Sequence, residues 1–370
     1  MIKKILLSIV AVLASMVVIA PSIATQKEYA GAVYVMTNAP DDNEIAVYSR
    51  DARGMLVLEE YYFTGGVGSG GEGVDPLVSQ ESLILSPNKR WLLAVNAGSN
   101  SISVFRIRHD RLKLTGTFDS GGAFPVSLTL FHNLLYVLNA GSDSAGPNIT
   151  GFRLSHRGEL FPLAGSKREL GVGGFHQVGF DPQGDVLVVT EGDPAGENRI
   201  HVFSVNRRGL PGPEAVISPS NGIVPFGFIF DHRGHLLVSE AGDGAVTSYK
   251  ILRNNTLRVI SPSVANDQSA TCWIAGNSMG FVYTANTGSD TISAYKLRSG
   301  KGRLVLLDQA AGFGNKPIDM TTAGNGRFLY VLNANDGTVG MFRIKRNGSL
   351  KDLGVIGGLP SPYAQGIAGN

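Results

Sequence analysis

Short apolar runs recur along the chain, each closed by an acid or amide and followed, after a polar turn, by a second segment of mixed side chains. The copies read YVMTNAPDDNEIAVYSR from Tyr34, LLAVNAGSNSISVFRI from Leu92, YVLNAGSDSAGPNITGFRL from Tyr136 and LVVTEGDPAGENRIHVFSV from Leu187. They continue as LLVSEAGDGAVTSYKI from Leu236, VYTANTGSDTISAYKL from Val282 and YVLNANDGTVGMFRI from Tyr330. The closing residues Asn38, Asn96, Asn139, Glu191, Glu240, Asn286 and Asn333 fall 43 to 58 residues apart. That period predicts one four-stranded antiparallel blade per repeat, hence an all-β, seven-bladed β-propeller.

Each repeat after the first has another apolar strand upstream, over 82–86, 126–130, 177–181, 226–231, 271–275 and 318–322. These are the expected inner strands around a central channel, separated by Pro-, Asp-, Asn- and Gly-rich turns. Segments such as Ile102–Arg106 are expected to alternate between faces, as partly solvated outer strands do. The first repeat lacks an inner strand. The C-terminal Ser361-Pro362-Tyr363-Ala364-Gln365-Gly366-Ile367-Ala368 has the pattern of Lys316–Ala323, so it is expected to pair with the first repeat and close the ring.

The first residues stand apart from this pattern. Lys3 and Lys4 precede an apolar run from Ile5 to Ala20, then Pro21 and Ser22-Ile23-Ala24. This predicts a signal peptide over 1–24, with a single propeller domain over 25–370 and export to the periplasm or beyond. The apolar run is short for a membrane-spanning helix. Loss of Lys3 and Lys4 takes the formal charge from +2 to zero, which gives no electrostatic reason to bind nucleic acid. The expected partner is a small-molecule ligand, and a monomer is the expected unit. Cys272, the single cysteine, excludes an internal disulfide and reads as a small core residue.

Candidate chemistry gathers where the inner strands begin. His176 starts one of them, 15 residues before Glu191, so the two are expected to meet at the channel mouth and act as acid and base. Gln177, Glu81 and Asp319 occupy comparable entrances, and Glu240, Asn139 and Trp273 complete the expected substrate-binding set. The Asn residues that close the other repeats read as caps of their own turns. The stretch Thr64–Gly73 contains a formal GxGxxG, but no helix follows it, so a dinucleotide cofactor is not expected. It reads instead as a mobile loop over the mouth. No zinc-ligand spacing appears, and although Glu191 and Glu240 could supply calcium with oxygens, no compact loop demands it; no metal or cofactor is expected.

The strings SLILSPNKRWLLAVNAGSNSISVF, PVSLTLFHNLLYVLNAGS, VPFGFIFDHRGHLLVSEAG and TCWIAGNSMGFVYTANTGSDTIS resemble the lactonase family with a seven-bladed propeller. That family includes propeller 6-phosphogluconolactonases and fungal carboxy-cis,cis-muconate lactonising enzymes, and these strings look like an exported bacterial subgroup. The resemblance implies a site combining a strand-entrance His, a strand-ending Glu and channel-facing arginines. His176 and Glu191 match the first two; the arginines have no counterpart, and Lys316 is the only cation at the entrances. The implied activity is hydrolysis of a small, non-phosphorylated lactone, which Phe124, Phe175, Phe226 and Trp273 would suit. The alternative is a non-catalytic propeller that binds a small molecule, glycan or protein.

Overall fold

A computed structural model describes residues 29–71, 73–108, 111–298 and 300–370; the leader expected over 1–24 lies outside them. Seven antiparallel sheets succeed one another along the chain, which confirms the propeller. Their inner strands are Ile367–Gly369 for blade 1, Leu83–Leu85 for blade 2, Pro125–Phe131 for blade 3 and Phe175–Phe180 for blade 4. Pro225–Phe230, Thr271–Gly276 and Pro317–Ala323 serve blades 5, 6 and 7. Six blades have four strands. In blade 3 the outermost strand is divided into Leu160–Pro162 and Arg168–Glu169, both paired with Asn148–Leu154.

The second strands, such as Trp91–Asn96 and Phe328–Asn333, are buried throughout. Neighbouring blades cover both of their faces, which is why they read as unbroken apolar runs rather than as alternation. Ile102–Arg106 departs from the expected half-solvated strand. It lies in the third strand of blade 2, Ser101–Arg108, which is buried through Phe105. Exposure rises in the fourth strands, such as Leu56–Phe63 and Leu350–Ile356.

The ring closes as the sequence implies. Val33, Tyr34 and Val35 pair antiparallel with Gly369, Ala368 and Ile367. The Asn370 amide donates to the Ala32 carbonyl at 3.0 Å, and the Ala32 amide donates to Asn370 Oδ1 at 2.8 Å.

In blades 3 to 7 the inner strand slips register near its start, at Pro125/Ser127, Phe175/Gln177, Pro225/Phe228, Thr271/Trp273 and Ile318/Met320. Such bulges re-aim a side chain out of the regular pleat. The extra residues include Val126, His176, Phe226, Cys272 and Asp319. They begin the strands that surround the axis.

Candidate functional site

The residues that close the second strands do not face the mouth. Asn96 is fully buried; it accepts from Asn43 Nδ2 and Thr64 Oγ1 and donates to Ser103 Oγ. Asn286 does the same with Asn266, Thr271, Thr291 and Ser293. These amides therefore join one blade to the crossover from the blade before it, rather than capping their own turns. Asn139 sits in the equivalent buried joint and donates to Asn148 Oδ1 at 3.1 Å and to the Ser120 carbonyl at 3.3 Å.

Glu191 and Glu240 occupy the same kind of joint. Arg199 lies directly across from Glu191 in the sheet and His201 lies diagonally. Arg199 grips the carboxylate with Nε and Nη2, at 2.7 and 2.6 Å, while His201 Nε2 lies 2.6 Å from Oε2. Burial alone would raise the Glu191 pKa, but Arg199 and His201 hold it below the ordinary range. Burial also pushes the His201 pKa down, against the pull of Glu191, so the ring is neutral and donates from Nε2. Arg199 is thus a cation of this end of the molecule that the entrance positions do not reveal. Glu240 accepts from Ser263 Oγ at 2.7 Å, and its Oε1 has no partner among the described residues. Burial, helped by Asp243, raises its pKa.

His176 and Glu191 share no hydrogen bond. The pleat turns Glu191 toward Arg199, whereas the bulge turns His176 away from that pattern. His176 Nδ1 lies 2.8 Å from the Val78 carbonyl and Nε2 lies 3.0 Å from the Gly192 carbonyl, and the ring stacks on Phe226. Burial lowers its pKa, although both carbonyls favour the protonated ring. Both ring nitrogens thus face carbonyl oxygens rather than open solvent.

Val78 belongs to a segment, residues 74–81, that crosses the channel. Gln80 exchanges two hydrogen bonds with the Ile274 backbone, at 3.1 and 2.9 Å, and its amide donates to the His176 carbonyl. Trp273 Nε1 donates to the Ser79 carbonyl, Ser79 Oγ to the Val126 carbonyl, and the Leu128 amide to the Glu81 carbonyl. The Leu77 amide donates to Gln365 Oε1, whose amide group donates in turn to Asp75 and to the Ser79 carbonyl. Blades 1, 3, 4 and 6 are thereby tied to one strap. Trp273 holds the strap and is buried beneath it. The glycine-rich stretch before it is packed rather than draped over the mouth: the Gly68, Gly70 and Gly98 amides bond to the Ala39, Asn38 and Val67 carbonyls.

Below the strap, a cavity of about 340 Å³ follows the inner strands of blades 2 to 5. Glu81 and Gln177 line one end, and Leu128, Val178 and Phe228 are among the apolar groups beyond. The Gln177 amide is bonded in both directions to the Phe228 backbone, which leaves one of its N–H groups uncommitted. Glu81 sits at positive φ, and its carboxyl takes no hydrogen bond from the described residues. Burial pushes its pKa up to about 7. Asp319, whose carboxylate accepts from the Met320 and Ile367 amides, is raised well above the carboxylate range by burial, then by Glu81 and Asp75. Asp75 rises to about 7 through burial. Burial and Asp75 likewise keep the Cys272 thiol protonated.

These groups set a pH dependence of stability. Glu81 and Asp75 hold protons in the folded state that the unfolded chain releases near its ordinary carboxylate pKa. Their contribution is therefore largest at low pH and is lost as pH rises through about 7. His176 and His201, with lowered values, act the other way: the unfolded chain sheds its imidazole protons through about pH 6.5, so their effect is to raise stability as pH rises through that range. Calorimetry should show the melting temperature falling by roughly 2–4 °C less in Glu81→Gln than in the wild type between pH 5 and 8, because the variant lacks the Glu81 proton.

The fold and this geometry define a seven-bladed β-propeller whose inner strands border a cavity with a buried carboxyl at one end. The chain belongs to the lactonase family with a seven-bladed β-propeller, whose family model matches residues 163–363. A 6-phosphogluconolactonase of Formosa agariphila is 25% identical over 300 residues, covering 73% of this chain and 82% of that protein. Among solved structures, a candidate 6-phosphogluconolactonase of Bacteroides fragilis superposes with a TM-score of 0.72 at 18% identity, covering 94% of this chain and 99% of that one. The periplasmic gluconolactonase of Pseudomonas aeruginosa gives 0.72 at 17% identity, covering 92% and 98%. Among the described residues, no helix is long and apolar enough to cross a membrane.

Proposed function

We propose that the protein is an exported hydrolase that opens the ring of a small, uncharged lactone inside the channel. The observation that carries this reading is the cavity of about 340 Å³ whose one acidic lining group, Glu81, has a pKa of about 7. A carboxylate so poised takes a proton from water near neutral pH, and the resulting hydroxide attacks the lactone carbonyl. The free N–H of Gln177 steadies the oxygen of the tetrahedral intermediate. The acyl–oxygen bond of the ring then breaks, and Glu81 returns its proton to the leaving ring oxygen, giving the hydroxy acid.

His176 and Glu191 serve this site as positioning groups. His176 holds the strap next to Glu81 through Val78 and Gln80, and Glu191 fixes the blade from which His176 projects. Among the described residues no Lys or Arg lines the cavity, and Arg199 is committed to Glu191. A phosphorylated lactone would have to leave its charge unpaired there. Export rests on the N-terminal pattern of basic, apolar and small residues.

Proton release from a panel of lactones tests the reading. Uncharged sugar and aromatic lactones should turn over, and their phosphorylated counterparts should be slower by about 100-fold or more in kcat/KM. Equal rates for both would refute the uncharged specificity. Saturable binding without turnover would favour a ligand-binding propeller instead.

A further inference from the structure

The channel is closed on one face and open on the other. Residues 74–81 seal the face that carries the crossovers between blades, through their bonds to blades 1, 3, 4 and 6. From Glu81 the cavity lining runs the other way, past Leu128 and Gly179 to Leu85, Leu130, Pro182 and Phe230, next to the turns that leave the inner strands. At Gly179 a side chain would crowd this path, since a Cβ there would lie 2.6 Å from the Phe228 ring. Ile229 and Phe230 also border a second cleft of about 570 Å³ on the same face, between the turns of blades 5, 6 and 7. A molecule settling in that depression is already at the rim of the channel.

We propose that substrate reaches Glu81 from this turn face, opposite the sealed mouth, and that Leu85, Leu130 and Phe230 set the width of lactone admitted. The proposal rests on the hydrolase reading above and adds to it a route and a size filter. Leu85 and Leu130 are half-buried, so their side chains border the open part of the cavity rather than the packed core. Leu85, Leu130, Pro182 and Phe230 present apolar side chains at this rim, so discrimination there is by shape and apolar fit.

The test compares kcat/KM for a compact and a bulky uncharged lactone in wild type, Leu130→Trp, Leu130→Ala and two controls on the sealed face. Val172, which is 97% exposed, and Ile223 provide those controls as Val172→Trp and Ile223→Trp. Leu130→Trp should lose about 10-fold or more on both lactones, and Leu130→Ala should shift preference toward the bulky one by roughly 5-fold. The controls should match wild type. Slowing by Val172→Trp or Ile223→Trp, with both Leu130 variants keeping the wild-type kcat/KM on each lactone, would overturn the route. In that case a dead Glu81→Gln would still uphold the hydrolase site. Full turnover in Glu81→Gln would remove the cavity as the site, and the route with it.

Discussion

Deleting residues 361–370 should leave a chain that no longer unfolds cooperatively and that elutes largely as aggregate. The deletion removes the strand that pairs with Val33, Tyr34 and Val35, and so turns Gly31–Met36, buried along its whole length, into an open sheet edge. An apolar edge of this kind is a template for pairing with other chains. The same deletion takes Ala364, Ile367 and Ala368 out of the core. It also takes Gln365 from the strap and strips the Asp319 carboxylate of the Ile367 amide. The combined loss is on the order of the whole stability of a domain, about 5–15 kcal/mol. Thermal melts followed by circular dichroism, with size-exclusion chromatography, check it. A truncated monomer melting within about 2 °C of the intact protein would show that the ring does not depend on its closure.

Glu81→Gln should reduce lactone turnover by about 100- to 10,000-fold, the range a positioned general base contributes. In the intact protein kcat/KM should rise with pH and level off with a midpoint near 7, as the carboxyl whose pKa burial has raised to about 7 becomes ionised. Residual activity in Glu81→Gln should lack that limb. Burial and the neighbouring Glu81 and Asp75 also disfavour the charged form of Asp319. A Glu81→Gln enzyme that kept the wild-type rate and midpoint would transfer the base to another residue. Glu240, a buried carboxyl with an unpartnered oxygen, would be the next to substitute.

The blades, their count and the closing strand were all legible in the sequence, because each depends on a short local pattern repeated seven times. The joints were partly legible. Replacement of Asn by Glu at Glu191 marked an unusual blade, but its partners Arg199 and His201 lie on the next strand. Aligning the repeats on that strand would have found them: Arg199 and His201 stand where blade 2 has Ser101 and Ser103 and blade 6 has Thr291 and Ser293. The separate partners of His176 and Glu191 were not legible, because a bulge does not announce itself in the sequence. One extra residue reverses the direction of a side chain while leaving the apolar pattern intact. The strap over 74–81 was not legible as such. Its partners His176, Trp273, Ile274 and Gln365 come from distant parts of the chain, and no local periodicity connects them.

Arrays of repeats ordinarily behave like beads, each stabilised by its two neighbours, so that a weak unit can fray without disturbing a remote one. Here Gln80 joins the second blade to the sixth across the axis, and Gln365 brings the last strand to the same point. The blades are therefore connected like spokes to a hub as well as like links in a circle. Melting of one blade loosens the hub, and the loosened hub is felt by blades it does not touch along the rim. Unfolding that starts at the rim is therefore transmitted through the axis as well as around the circle.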